Sequence, residues 1–276
     1  MLFVNLQPGR VQSRLFFIVK TLLVIAAAVG AGGAQTNKAA YDSILTGYYV
    51  DACCKSTIAA CLEKKTDCAI APRLRAFTEW IVDFEKDPVK IKEQLDLRYS
   101  FFVSTETVKI DTARLLWAGD PASPVTVVAY MSANCGLCKL SVGTLYDSIT
   151  AGSLKGKVRL LPKPFGKGPG DRALVAAMTA GKFWDLFSRF RQTNRPLSEE
   201  DCLRLADSAG IGSQVLSRLL KNKAVDSLHL AIRAEGEKFG ITVTPTFFVD
   251  NKRYASYKNP RWVLDAVSYE YEMKRR

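Results

Sequence analysis

Two cysteines with two residues between them are the side chains best suited to chemistry in this sequence: Cys135 and Cys138, in the order Cys-Gly-Leu-Cys. A β-branched run at residues 125–131 predicts a buried strand before them, and a helical pattern follows from about Cys138 to Ile149. The first thiol would then lie at the positive end of a helix, which stabilises a thiolate. A thiolate attacks disulfides, and a second cysteine one turn later can resolve the mixed disulfide. The spacing therefore predicts reversible dithiol–disulfide exchange.

A zinc site is the other common use of two cysteines at this spacing. A structural zinc ion takes four ligands, commonly two such pairs or one pair with histidines. The sequence has no second pair of this kind, and His229 is its only histidine. Because leucines flank His229 in a helical pattern, we expect a packing or surface histidine. We therefore predict neither a metal nor a cofactor.

The first 34 residues have the layout of a secretory signal peptide. Three basic residues precede an apolar run at residues 21–31, and small residues continue to Ala34. An uncleaved membrane anchor is the alternative, although the run is shorter than the roughly 20 residues that cross a bilayer. We therefore predict an exported, periplasmic protein, membrane-anchored if the segment is not cleaved.

Four cysteines near the start of the exported part form a second group: Cys53, Cys54, Cys61 and Cys68. Outside the reducing cytosol, two structural disulfides are the main interpretation, and four cysteines allow three pairings. A second redox-active pair that relays electrons to the Cys-Gly-Leu-Cys motif, and a metal site, stay open as alternatives. A seventh cysteine, Cys202, lies in a helical pattern and is expected to be a buried, inert thiol.

Composition limits the classes of partner. The chain has 276 residues, of which 48% are hydrophobic, so it is long enough to bury a core. Its formal net charge is +12, but lysine and arginine are scattered and form no dense run. We therefore predict a charged surface and no nucleic-acid partner.

Residues 35–115 are predicted to form a small all-helical region that contains the cysteine group. Apolar residues at three- and four-residue spacing indicate one helix face, and they are Leu74, Phe77, Ile81 and Phe84. A second helix is predicted to start near Pro88. We place the domain boundary after residue 115, shortly before turn-forming residues at 119–124.

Residues 116–276 alternate strands and helices, which predicts an α/β fold. A large helical insertion is predicted at about residues 171–239, and the glycine- and lysine-rich residues 163–171 before it are expected to be a flexible connection. The predicted strands are residues 125–131, 157–161, 246–249 and 252–254, and a terminal helix begins at Pro260.

A proline directly before a predicted strand, Pro245, indicates an edge position or a cis turn. The sequence resembles the DsbA-like branch of the thioredoxin superfamily over roughly residues 118–270. Three features carry the resemblance: the strand with its Cys-Gly-Leu-Cys motif, the segment Val-Thr-Pro-Thr-Phe-Phe-Val at 243–249, and Gly-Lys-Phe-Trp at 181–184. The resemblance implies a thioredoxin-like fold, and a cis bond between Thr244 and Pro245 that faces the cysteines. It also implies that the Thr244 backbone can pair with an extended substrate strand.

The residues between the two cysteines differ from those of the best-known oxidase of that family, which has proline and histidine there. Here Gly136 and Leu137 occupy these positions. Without a histidine to stabilise the thiolate of Cys135, we expect a less strongly oxidising pair. The first glycine, and the threonine before Pro245, are similar to DsbC-type isomerases, so oxidase, isomerase and reductase directions all stay open.

The sequence therefore favours an exported thiol-disulfide oxidoreductase that forms, reduces or rearranges disulfides. Cys135 would be the nucleophile, Cys138 would resolve the mixed disulfide, and Thr244 and Pro245 would bind substrate. The expected partners are exported cysteine-containing proteins and a membrane or soluble redox partner. The alternative is a non-catalytic binding or assembly module on the same scaffold, with a structural disulfide between the two cysteines.

Overall fold

The structure is a computed structural model that describes residues 37–113 and 116–276. The predicted signal peptide at residues 1–34 lies outside the described residues. In the described part of the chain, no helix has both the length and the apolar character needed to cross a membrane. The chain divides into two compact units, with the division between Ile91 and Lys92.

The first unit is mainly helical, as predicted, but it also contains a short strand pair. Its elements are helix α1 (residues 37–47), strands β1 (Tyr49–Val50) and β2 (Ser56–Thr57), and helices α2 (Ile58–Glu63) and α3 (Ile70–Phe84). The two strands are antiparallel, and each is only two residues long. Strands this short leave no alternation of polar and apolar residues, so the sequence pattern could not predict them.

The predicted inward face of α3 is correct for three of its four residues. Leu74, Phe77 and Ile81 are fully buried, whereas Phe84 is 65% exposed. Phe84 is the last residue of the helix, and Glu85 after it has an extended backbone. The predicted helix face therefore continues beyond the buried part of α3, to the exposed last residue of the helix.

Disulfides link all four cysteines of the first unit. Cys53 is bonded to Cys68, and Cys54 is bonded to Cys61. Cys53 and Cys54 lie in the turn between β1 and β2. Their disulfides therefore join this turn to the segment before α3 and to α2, respectively. A second redox role and a metal site for these cysteines stay alternatives.

The second unit contains a four-stranded sheet with the strand order β4-β3-β5-β6. Its strands are β3 (Val125–Met131), β4 (Val158–Pro164), β5 (Thr246–Val249) and β6 (Lys252–Tyr254). The first two strands are parallel, and the other neighbouring pairs are antiparallel. Six of the seven residues of β3 are buried, as expected for a central strand with both faces covered.

Helices surround this sheet. Helix α4 (Pro88–Val103) precedes it, α5 (Gly136–Thr150) connects its two parallel strands, and α11 (Pro260–Met273) ends the fold. The predicted helical insertion consists of α6 (Pro169–Thr179), α7 (Phe183–Phe190), α8 (Glu199–Ser208), α9 (Ser213–Leu220) and α10 (Lys223–Lys238). The predicted fold class, a thioredoxin-like α/β fold with a helical insertion, is confirmed.

The connection expected at residues 163–171 is shorter than predicted. Strand β4 continues to Pro164, which pairs with Met131, and the N–H of Phe165 donates to the carbonyl of Met131 at 2.7 Å. Helix α6 then begins at Pro169. Pairing with β3 extends the strand through two prolines whose weak strand propensity hid it from the sequence pattern.

The hairpin between β5 and β6 has the turn that its sequence predicts. Asp250 and Asn251 both have positive φ angles, of 48° and 68°, as a two-residue type I′ turn requires. The Asp250 carboxylate also accepts the N–H of Thr126 at 2.9 Å. This contact fixes the turn to the first residues of β3.

A buried ion pair links β4 to the helical insertion. Lys163 is 2% exposed, and its ammonium bonds to the Glu235 carboxylate of α10. The same carboxylate accepts the Tyr130 hydroxyl at 2.5 Å and the Asp111 N–H at 2.7 Å. Burial lowers the pKa of Lys163, and the Glu235 charge opposes that shift.

We predict that Glu235→Ala lowers the free energy of unfolding by about 3–5 kcal/mol, because it leaves the Lys163 ammonium buried without a carboxylate. Denaturant unfolding measures this loss. Glu237→Ala is the matched control on the same helix; its carboxylate is 59% exposed and its ion pair with Arg233 is on the surface. The control should change stability by less than about 1 kcal/mol. Equal losses in the two variants would contradict this account of the ion pair.

Candidate active site

Cys135 is the N-cap residue of α5, directly after the loop that leaves β3. Its backbone is extended, with φ −88° and ψ 113°, and its sulfur accepts the N–H of Cys138 at 3.1 Å. Its own N–H donates to the Ser132 carbonyl at 3.2 Å, which closes the loop. The thiol thus takes the place of the side-chain oxygen that usually caps a helix, where positive charge favours a thiolate.

Cys138 lies one turn further along α5 and is fully buried, whereas Cys135 is partly exposed. The sulfur of Cys138 accepts the N–H of Ser132 at 3.5 Å. Only the sulfur of Cys135 is therefore accessible to a large partner. Cys138 is placed to react with a group already attached to Cys135.

The predicted turn at Thr244 and Pro245 lies next to the cysteines in the fold. The bond between Thr244 and Pro245 is cis, as the family resemblance implied. The Cys135 thiol donates to the Thr244 carbonyl at 3.4 Å, across 109 residues of sequence. The four residues singled out in the sequence, Cys135, Cys138, Thr244 and Pro245, therefore lie together where β3 ends and β5 begins.

The two thiols have opposite pKa shifts. The pKa of Cys135 is lowered to about 6, mainly by a hydrogen bond with the Cys138 side chain and to a smaller extent by the Cys138 N–H, while burial works in the other direction. The pKa of Cys138 is raised, first by burial and then by its hydrogen bond with Cys135. At neutral pH the negative charge therefore lies on the accessible sulfur, which is the arrangement that a nucleophile and a resolving thiol require.

A buried cation beside the cysteines was not found from the sequence. Lys139 is 8% exposed, and its ammonium donates to the carbonyl and hydroxyl of Thr193 at 2.8 and 2.9 Å. Burial lowers the pKa of Lys139, and the charge of Cys135 opposes that shift. Lys139 is therefore a buried cation that interacts electrostatically with Cys135.

The surface around Cys135 carries exposed apolar side chains and borders a cavity. Leu137, Leu140 and Val243 are 41%, 55% and 55% exposed. A cavity of about 390 Å³ begins at Gly136 and Leu140 and extends to residues 191–196 of the insertion. Exposed apolar side chains beside a reactive thiol suit an extended peptide better than a small polar ligand.

The other two candidate residues lie away from this reactive surface. Cys202 is fully buried, and burial raises its pKa to about 12, so its thiol is unreactive, as predicted. His229 is 7% exposed and its Nε2 lies 2.9 Å from the Gly166 carbonyl, which makes it a packing histidine.

We predict that the alkylation rate of Cys135 by iodoacetamide rises with pH to a plateau, with a midpoint at about pH 6. The thiolate is the reactive form, so the rate is low below the midpoint and constant above it. Cys138→Ala removes the largest contribution to the lowered pKa and should move the midpoint to higher pH. Cys202→Ser is the matched control and should leave the midpoint in place. A midpoint at the value of an ordinary cysteine in the wild-type protein would refute this assignment.

Comparisons with known proteins agree with this geometry. The family model described as Thioredoxin matches residues 111–267, which is more than half of the chain. The comparison with curated proteins finds no match.

Several solved structures have the same fold. A thioredoxin-like oxidoreductase from Silicibacter pomeroyi DSS-3 has a TM-score of 0.51 and 22% identity, over 64% of this chain and 97% of its own. Oxidised BdbD from Bacillus subtilis has a TM-score of 0.51 and 20% identity, over 60% and 97%. The thiol-disulfide exchange protein alpha-DsbA2 from Wolbachia pipientis has a TM-score of 0.50 and 15% identity, over 64% and 94%. Together with the family match, they confirm the predicted thioredoxin-like fold. The chain belongs to the thioredoxin family, and its fold is that of the DsbA-like thiol-disulfide oxidoreductases.

Proposed function

We propose that the protein exchanges dithiols and disulfides at Cys135 and Cys138, and that its substrates are cysteine-containing proteins outside the cytosol. One observation carries the proposal. The accessible thiol has a lowered pKa and faces the carbonyl that precedes a cis-proline, while the second thiol is buried directly behind it. A structural disulfide requires no such asymmetry between its two sulfurs.

Reduction of a client disulfide would use the two cysteines in turn, first Cys135 and then Cys138. The Cys135 thiolate attacks one sulfur of a client disulfide, forms a mixed disulfide and displaces the other client sulfur as a thiolate. The loss of charge on Cys135 removes a repulsion that raises the pKa of Cys138. Cys138 then loses its proton and attacks the Cys135 sulfur, which releases the client as a dithiol. Two electrons have moved, and the protein now holds a disulfide.

The oxidative direction reverses these steps, and a client thiolate attacks the exposed sulfur of the Cys135–Cys138 disulfide. The interactions that lower the pKa of Cys135 stabilise the reduced protein, and this favours the oxidative direction. Isomerisation uses the same first step, with a client thiol in place of Cys138 as the resolving group. A membrane or soluble redox partner would restore the starting state.

Thr244 and Pro245 are proposed to bind the client backbone. The cis bond turns the Thr244 carbonyl toward Cys135, at the start of β5. An extended client segment would lie along this turn and pack on the exposed side chains of Leu137 and Val243. Backbone pairing of this kind tolerates many client sequences.

Export is part of the proposal. The signal-peptide pattern in residues 1–34 and the two disulfides of the first unit both suit an oxidising compartment such as the periplasm. The division of the exported chain into residues 35–115 and 116–276 stays a prediction, as does a retained membrane anchor.

The test uses oxidised protein and a reduced peptide with two cysteines. Wild-type protein should oxidise the peptide, and Cys135→Ser should reduce the rate to that of the peptide alone. Cys138→Ser, given the same peptide in its disulfide form, should accumulate a mixed disulfide between Cys135 and the peptide, because Cys135 attacks the peptide disulfide and no Cys138 thiol resolves the product; mass spectrometry detects it. Cys202→Ser, at a buried thiol, should behave as wild type.

A non-catalytic binding or assembly module predicts a different result. Wild-type protein would then leave the reduced peptide reduced, and Cys138→Ser would capture none of the peptide supplied in its disulfide form. Both outcomes together would exclude the proposed function.

A further inference from the structure

A buried carboxylate of the helical insertion contacts the loop that carries the cysteines. Asp171 lies in the first turn of α6 and is 1% exposed. Its Oδ1 accepts the N–H of Ala133 at 2.8 Å. Its Oδ2 accepts the Ser132 hydroxyl and the N–H of Gly168, both at 3.2 Å. Only the last of these bonds belongs to the capping of α6, and the other two reach the end of β3.

The insertion approaches this loop closely because glycines face it. A side chain on Gly166 would overlap the Asp171 carboxylate and the Ser132 hydroxyl. A Cβ on Gly170 would lie 2.8 Å from the Cβ of Ala133, which is closer than such atoms pack. The absence of side chains at both positions lets the carboxylate reach the loop.

Ser132 in turn contacts both cysteines through its backbone. Its N–H donates to the Cys138 sulfur at 3.5 Å, and its carbonyl accepts the N–H of Cys135 at 3.2 Å. A hydrogen bond from an N–H stabilises a thiolate more than a thiol. The orientation of Ser132 therefore influences how readily Cys138 ionises and where its sulfur points.

We propose that Asp171 is a positioning residue for the resolving step, which holds Ser132 and Ala133 so that the Ser132 N–H supports the Cys138 thiolate as it attacks Cys135. This inference rests on the proposed function. It assigns to the helical insertion a part in the chemistry, in addition to any part in client binding. Asp171 itself touches neither sulfur and acts through the loop.

Another acidic residue of the insertion provides a matched control. Asp201 occupies the same capping position in α8 that Asp171 occupies in α6, and it is 6% exposed. Its carboxylate bonds to Ser198, Arg195 and Arg204 within its own region of the insertion. Asp171→Asn and Asp201→Asn therefore both perturb a helix cap, but only the first changes a carboxylate that is hydrogen-bonded to Ser132 and Ala133.

The experiment separates the two chemical steps with an aromatic disulfide, dithiobis(nitrobenzoic acid), given in less than equimolar amount to protein in which Cys135 and Cys138 are reduced and the two disulfides of the first unit are intact. Attack by Cys135 releases one coloured aromatic thiolate and forms a mixed disulfide. Attack by Cys138 on Cys135 releases the second and closes the protein disulfide. Stopped-flow absorbance records the two releases as separate phases, with no protein client present.

We expect Asp171→Asn to slow the second phase by about threefold to tenfold, which corresponds to the loss of one or two hydrogen bonds. The first phase should change by less than twofold. Ser132→Ala removes one of the same bonds without changing any charge, and should slow the second phase less. Asp201→Asn should leave the second phase at the wild-type rate, so a general loss of helix stability is not the cause.

Two results would overturn the inference: a second phase of Asp171→Asn within twofold of wild type, or an equal slowing by Asp201→Asn. Failure of the proposed function has a different signature. In that case wild-type protein shows no peptide oxidation, while the two phases with the aromatic disulfide are still present and still report on Asp171. A wild-type protein without a second phase would exclude both the resolving step and its positioning residue.

Discussion

The position of the Cys135 sulfur at the start of α5, 3.1 Å from the Cys138 nitrogen and hydrogen-bonded to the Cys138 side chain, is the constraint on which the site depends. It exists because α5 begins at the residue after Cys135, so that a thiol takes the position of a helix cap. The same geometry places Cys138 one turn behind and inside the protein. Accessibility, charge and the order of the two chemical steps all follow from this one helix start.

The sheet brings the remaining groups to that helix start. Strand β3 is central, with β4 parallel on one side and β5 antiparallel on the other. The end of β3 therefore lies beside the beginning of β5, where the cis-proline turn places the Thr244 carbonyl against the Cys135 thiol. The helical insertion contributes from a third direction through two of its residues. Thr193 accepts hydrogen bonds from Lys139 of α5, and Asp171 accepts the N–H of Ala133. The reactive loop is thus held from three sides by elements distant in sequence.

Local patterns predicted the framework of this arrangement well. The limits of β3, β5 and β6 and the start of α11 agree with the structure, because β-branched runs, an Asp-Asn turn and a proline at the first helical position are local signals. Lys139 and Asp171 could not be recognised, since a charged residue is normally on the surface and only tertiary packing buries these two. Phe84 lies on the predicted helix face but is exposed, because helical spacing identifies a face and not how far the core extends along it.

The reduction potential of the Cys135–Cys138 pair tests the central claim most directly. Equilibration of the protein in glutathione buffers of graded ratio, followed by alkylation of free thiols and mass spectrometry, measures it. A thiolate stabilised at the start of α5 predicts a labile disulfide, with a potential clearly above about −300 mV. A potential below about −300 mV is typical of structural disulfides, and it would contradict the assignment of these two cysteines as a catalytic pair.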